Sequence, residues 1–206
     1  MARKTKAEAE QTRQEIVNAA RSVFHQCGVS RTSLEHIAKV AGVTRGAIYW
    51  HFANKAALFY AMCDESSAKL DHARAFLTSE EFVNPLDAIE RSMLEFLEAV
   101  GNTPSVRQTF EIMLMRCEYV DEFSPVLHEV NKPCFDFLAR LKTVYARAAE
   151  KGFLRPTLDP DAMAYDTLSF TTGLFNNWLA GAGSNESHLP VRTMIRNHMA
   201  LRRRDA

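Results

Sequence analysis

Arg45, Tyr49, Trp50 and His51 fall within one seven-residue stretch, RGAIYWH, with Lys55 close behind. The set offers a guanidinium, a phenol, an indole, an imidazole and an ammonium. Such groups suit a nucleic acid: Arg is the commonest reader of a guanine edge, and most protein–DNA hydrogen bonds go to backbone oxygens. Arg45 is therefore placed at a base edge, with Tyr49, His51 and Lys55 on phosphates. Only Ile48 looks built to point inward. The competing reading buries Tyr49 and Trp50 as ordinary core aromatics whose polar tips find partners. Catalytic patterns are missing from the chain. His128-Glu129 has no second His at metalloprotease spacing, and no Gly-rich phosphate loop occurs. The four cysteines, Cys27, Cys63, Cys117 and Cys134, form no CxxC pair, so neither a disulfide framework nor a zinc site is expected. Enzymatic activity, a metal and a cofactor are all unexpected.

The elements around this stretch must position it. A first helix is predicted from about Ala7 to Gln26, with Ile16, Ala20, Val23, Phe24 and Cys27 on one face and Gly28 at its end. Thr32 and Glu35 have the spacing of a capping box for a second helix bearing Leu34, Ile37, Ala38 and Ala41. Gly42 suits its C-terminus, Val43 plugs the corner, and Thr44 caps a third helix that holds the polar cluster. Two helices joined by about three or four residues including a Gly form a helix-turn-helix, whose second helix enters the major groove. Asn54 caps a fourth helix predicted to reach about Leu77. A basic arm (Arg3, Lys4, Lys6) precedes the first helix.

The run TSLEHIAKVAGVTRGAIYWHFANKAAL resembles the DNA-binding signature of the TetR family. Met1–Lys6, Gln11-Thr12-Arg13 and TRGAIYWHF resemble its multidrug-efflux-repressor branch, of AcrR/TtgR type. The resemblance implies a DNA-contacting set of Thr32, Ser33, Thr44, Arg45, Gly46, Tyr49, Trp50, His51 and Lys55. It implies a ligand cavity faced by Phe96, Phe110, Leu114, Cys134, Phe137, Leu141, Leu168, Thr172 and Phe175. It also implies a homodimer through the last two helices, where Phe170, Leu174, Trp178, Met194, Ile195 and Met199 supply apolar surface.

The remaining sequence agrees with an all-α chain. Asn84-Pro85, Thr103-Pro104, Pro125 and Asp159-Pro160 mark further helix starts, a last helix begins near Pro190, and no strand pattern appears. About nine helices are expected: a DNA-binding domain over 1–55, and a helical ligand-binding and dimerisation domain over 56–206. Pro133 lies inside one helix, where a kink is expected. Net charge is zero, yet residues 1–60 carry nine Lys/Arg against four Asp/Glu, leaving a surplus of acids in the rest. A basic end on a neutral chain suits a DNA reader joined to a different body. No apolar run approaches the ~18 residues of a membrane span, and a cytoplasmic protein is expected. Flexible Met and flat aromatics in the body read as plain core or as the lining of an apolar cavity. Three mechanisms stay open: release from a palindromic operator by a hydrophobic effector, a thiol switch through Cys63, Cys117 or Cys134, or DNA binding with no switch.

Overall fold

A computed structural model describes residues 5–181 and 190–204. The arm residues Arg3 and Lys4, and most of the loop expected over 181–187, lie outside the described residues. Among the described residues there are ten α-helices: α1 Lys6–Cys27, α2 Leu34–Val40, α3 Arg45–His51, α4 Lys55–Ala68, α5 Asp71–Ala75, α6 Pro85–Asn102, α7 Pro104–Met115, α8 Val126–Glu150, α9 Pro160–Gly181 and α10 Val191–Ala200. Among the described residues the only β pairing is an isolated bridge between Leu154 and Arg203, so the chain is all-α as expected. No described helix is long and apolar enough to cross a membrane.

The chain forms two compact units. The first comprises the described residues up to Lys69 with Thr103–Val130; the second comprises Leu70–Asn102 with the described residues from Asn131 onward. In the first, Ile16, Val23, Phe24, Ile37, Ile48, Leu58, Phe59, Met62, Ile112, Phe123 and Val126 share one core. Phe59 joins its parts, its ring centroid lying 6.1 Å from Phe24 and 5.5 Å, edge-on, from Phe123.

A polar cluster ties α1, α4 and α7 together inside this unit. Arg21 is buried. Its Nε donates to Thr109 Oγ1 (3.2 Å), and its Nη2 pairs with Glu65 (2.8 Å). Ser66 Oγ donates to the same Thr109 oxygen at 2.8 Å. Burial pushes the Glu65 carboxyl up, but hydrogen bonds from Lys69, Gln14 and Arg21 outweigh it and hold it down at about 2. The second unit has its own buried chain, Tyr145 Oη to Thr167 Oγ1 (2.7 Å) and Thr167 to His198 Nε2 (3.2 Å). Burial and the nearby Arg202 charge lower His198 to about 4.

Two expectations are corrected. The fourth helix stops at Ala68 instead of running to Leu77; α5 and a 3-10 turn over Phe76–Thr78 follow. No Gly or Pro marks this break. It lets Leu70, Ala73 and Leu77 turn inward in the second unit, where α5 packs on α6. The Thr32–Glu35 capping box does not form. Ser33 caps α2, accepting from His36 N (3.2 Å), while the Thr32 hydroxyl donates to the Gly28 carbonyl (2.8 Å). A capping box does form at α1, between Thr5 and Glu8.

Acid should therefore weaken the fold in two windows. A group whose folded pKa is depressed takes up its proton more readily in the unfolded chain, so stability falls as pH drops from the unfolded to the folded value. His198 contributes between about 6.5 and 4, and Glu65 between about 4.5 and 2. Each is worth on the order of 1–3 kcal/mol. Urea unfolding against pH should show both steps, and Glu65→Gln should remove the lower one.

Candidate nucleic-acid interface

Helix α3 is short, and its boundaries are set locally. Thr44 Oγ1 accepts from Ala47 N (3.2 Å) at its start. Before it, Gly42 takes a φ of 69°, where a side chain would be strained, and Val43 N–H reaches back to the Ala38 carbonyl (3.0 Å). Val43 packs against the core, as its place in the corner requires. Within α3 only Ile48 is buried, at 0% exposure.

The alternative of core aromatics is therefore excluded. Trp50 is 73% exposed and Tyr49 43%. Thr44, Arg45 and Gly46 are exposed as well, and His51 is half-buried, its ring edge-on to Trp50 at 4.5 Å. Ser33 is exposed at the start of α2, but Thr32 is buried, its hydroxyl committed to Gly28. Arg13 of α1 adds a cation 5.3 Å from the Phe52 ring centroid, where α3 ends.

Two carboxylates attend the cations of this face, and the sequence reading missed both roles. Glu35 Oε1 accepts from Tyr49 Oη (3.1 Å) and lies 3.3 Å from Arg45 Nη2. Backbone and Tyr49 hydrogen bonds, with the Arg45 charge, hold its carboxyl below the usual value. Glu122, from a 3-10 turn over Asp121–Phe123, sits 3.3 Å from Lys55 Nζ, whose side chain is only 14% exposed. The same Nζ lies 5.4 Å from the Phe123 ring centroid. Lys55 opens α4, where the helix dipole disfavours a cation. Glu122 supplies the compensating charge in the free protein. Neither pairing has a sequence signature: Glu35 meets Arg45 and Tyr49 across the corner between two helices, and Glu122 comes from far along the chain to reach Lys55. A shallow surface hollow of about 360 Å³ lies beside Lys55, lined by Thr32, Ser33, Tyr49, Asn54 and Glu122 among others.

The model for the bacterial regulatory proteins of the tetR family matches residues 16–62, and that for the MAATS-type transcriptional repressor C-terminal region matches 84–202. The chain belongs to the TetR family. It is 35% identical over 179 residues to the HTH-type transcriptional regulator TtgR of Pseudomonas putida, covering 87% of this chain and 85% of that one. It superposes with a TM-score of 0.84 on NalD of Pseudomonas aeruginosa, described as the secondary repressor of the MexAB-OprM multidrug efflux pump, at 30% identity over 96% of this chain and 100% of NalD. A complex of SmeT with triclosan matches with a TM-score of 0.77 at 26% identity, covering 95% and 93%; SmeT is the repressor of a Stenotrophomonas maltophilia multidrug efflux pump. The family is one of transcriptional regulators, and the match to its N-terminal model runs from within α1 to within α4.

The residues expected at a ligand cavity divide between the two units. In the second, Leu141 and Phe175 are buried, and Phe96 meets Phe175 edge-on at 5.0 Å. Phe137 and Leu168 are half-buried, while Cys134 and Thr172 are exposed. Phe110 and Leu114 belong to α7 of the first unit, Phe110 half-buried and Leu114 47% exposed. Of the expected dimer residues, Leu174, Ile195 and Met199 are buried within their own chain. Phe170, Trp178 and Met194 are half-buried, Phe170 stacking on His198 at 3.8 Å.

This geometry separates neighbours on one helix. Trp50→Phe should change the unfolding free energy by less than about 0.5 kcal/mol, as at a surface site. Ile48→Ala should cost about 2–5 kcal/mol. Denaturant titration of the two variants checks both.

Proposed function

We propose that this chain is a ligand-responsive repressor of a multidrug efflux operon. As a homodimer it holds a palindromic operator through α3 and its flanks, and it leaves when a hydrophobic small molecule binds the helical domain beyond residue 55. The observation that carries the DNA reading is the outward display of Arg45, Tyr49 and Trp50 from a helix anchored by Ile48 alone. The efflux assignment rests on relatives whose descriptions name efflux-pump repression. The apolar effector rests on the triclosan bound by SmeT and on the aromatic pair Phe96–Phe175 in the body.

The switch needs only an effector that binds the DNA-incompetent state more tightly than the competent one. Two readers on a two-fold axis should meet half-sites about 34–36 Å apart. The thiol alternative is disfavoured on physical grounds. A sensor cysteine needs thiolate character. Burial raises the Cys63 thiol and pushes Cys117 up to about 11, and Cys134 is raised too.

The test pairs two readouts. A thermal-shift screen of apolar drugs should give a hit that raises the melting temperature by mass action, and the same compound should release the DNA upstream of the chain's own gene. No release by any stabilising compound would sink the switch. Arg45→Ala should cost about 1–3 kcal/mol of operator affinity and relax the choice of base at one position, whereas Lys55→Ala should weaken all duplexes alike and lower the salt slope by about 1. Gel-shift titrations at several salt concentrations distinguish the two. Replacing Cys63, Cys117 and Cys134 by Ser should leave the response of operator binding to an oxidant unchanged.

A further inference from the structure

We infer that Glu35 is a specificity-determining residue of this DNA reader, acting through Arg45 and Tyr49. The inference rests on the DNA-reading role proposed for α3. Glu35 stands in the first turn of α2, exposed, and gathers two side chains of α3 on one oxygen. Its Oε1 accepts from Tyr49 Oη at 3.1 Å and lies 3.3 Å from Arg45 Nη2. The Arg45 guanidinium carbon lies 5.6 Å from the Tyr49 ring centroid. Arg45 is thus held at two points, by a carboxylate and by an aromatic face.

Two consequences bear on sequence choice. Arg has five N–H donors in a rigid fork. With one Nη nitrogen beside Glu35, the other donors remain for a partner, and the Arg45 side chain, 73% exposed, presents them to solvent. A guanine edge can accept from those donors while the Glu35 contact persists. A random duplex offers Arg45 mainly phosphate. To take it, the guanidinium must turn away from Glu35, which then faces the DNA backbone as an uncompensated negative charge. The carboxylate therefore penalises the non-specific mode and spares the specific one. An acid on a DNA-facing surface, otherwise a hindrance to binding, raises the ratio of operator to random affinity.

The experiment measures dissociation constants of the full-length wild type, Glu35→Gln and Glu35→Ala for an operator duplex selected from a randomised pool, and for a random duplex. Glu35→Gln keeps the shape and an acceptor but removes the charge. Circular dichroism melts check that both variants fold, and Glu35→Gln remains informative should Glu35→Ala not. Both variants should bind random DNA several-fold more tightly and lose at least fivefold in the operator-to-random ratio. In an Arg45→Ala background, Glu35→Gln should leave the ratio unchanged. If the variants shift both affinities by the same factor, Glu35 is only a surface charge and the inference fails. A ratio that still falls in the Arg45→Ala background also overturns it, since Glu35 would then act without Arg45. A wild type with no operator preference would sink the repressor reading itself, an outcome visible before any variant is made.

Discussion

A single buried side chain holds the reading helix. Helix α3 is seven residues long, too short to persist alone in water. Ile48, at 0% exposure, fixes it to the core of the first unit, and Phe52, one turn on and 4% exposed, closes its end. The Thr44 cap and the Gly42 corner set where it begins. With its one inward position spent on Ile48, the helix presents Arg45, Gly46, Tyr49 and Trp50 outward. Packing places little demand on them, so their identities are free to answer to whatever lies outside. The division between a residue for folding and residues for function is drawn within two turns.

The platform behind that helix is held by polar contacts as much as by apolar ones. Arg21 is buried yet fully engaged through three helices: Glu65 from α4, Thr109 from α7, and Asn18 from its own α1. Breaking a buried ion pair is costly because the remaining charge has no partner. Ser66 and Thr109 add a second buried link between α4 and α7. Such links are directional, unlike leucines sliding past one another. They fix the register of α7 against the two helices that carry the reader. Helix α7 is thus part of the reading unit, although it is separated from α4 in sequence by α5 and α6.

What the sequence made legible follows the range of the interactions involved. The helix-turn-helix was readable because its signals are local: Thr44 as a cap, Gly42 as a positive-φ corner, Leu34, Ile37, Ala38 and Ala41 at helical spacing. The Asn84-Pro85 and Asp159-Pro160 starts were readable for the same reason, their side chains accepting from Leu86 N and Ala162 N. The end of α4 was not, since tertiary burial of Leu70 and Leu77 decides it and no Gly or Pro punctuates it. Capping chemistry misled at Thr32, where two neighbouring hydroxyl residues, Thr32 and Ser33, could each cap, and the choice depended on a free carbonyl at Gly28. The docking of Glu122 on Lys55 and of Phe123 on Phe59 joins residues more than sixty apart, which no periodicity encodes. The body helices show which residues are apolar but not which of them share a cavity, and their pattern fits plain core equally well.

The charge pattern of the reader then takes on a different meaning. Counting Lys and Arg over residues 1–60 suggests a surface of free cations awaiting phosphates. In the structure Arg45 is already paired with Glu35, and Lys55 with Glu122. On the reading proposed above, a phosphate at either site takes the place of a carboxylate already there, whereas a guanine edge at Arg45 leaves the Glu35 contact intact. Phosphate contributes counterion release, which makes affinity salt-dependent, but it must first compete with a carboxylate that is covalently present and already in place. On the same reading, that competition would weaken non-specific attraction. A contact with more to offer than charge, such as a base edge with two aligned acceptors, loses less to it. On that reading, carboxylates beside the cations would lower the general affinity of a basic domain for DNA while leaving room for a strong response to one sequence.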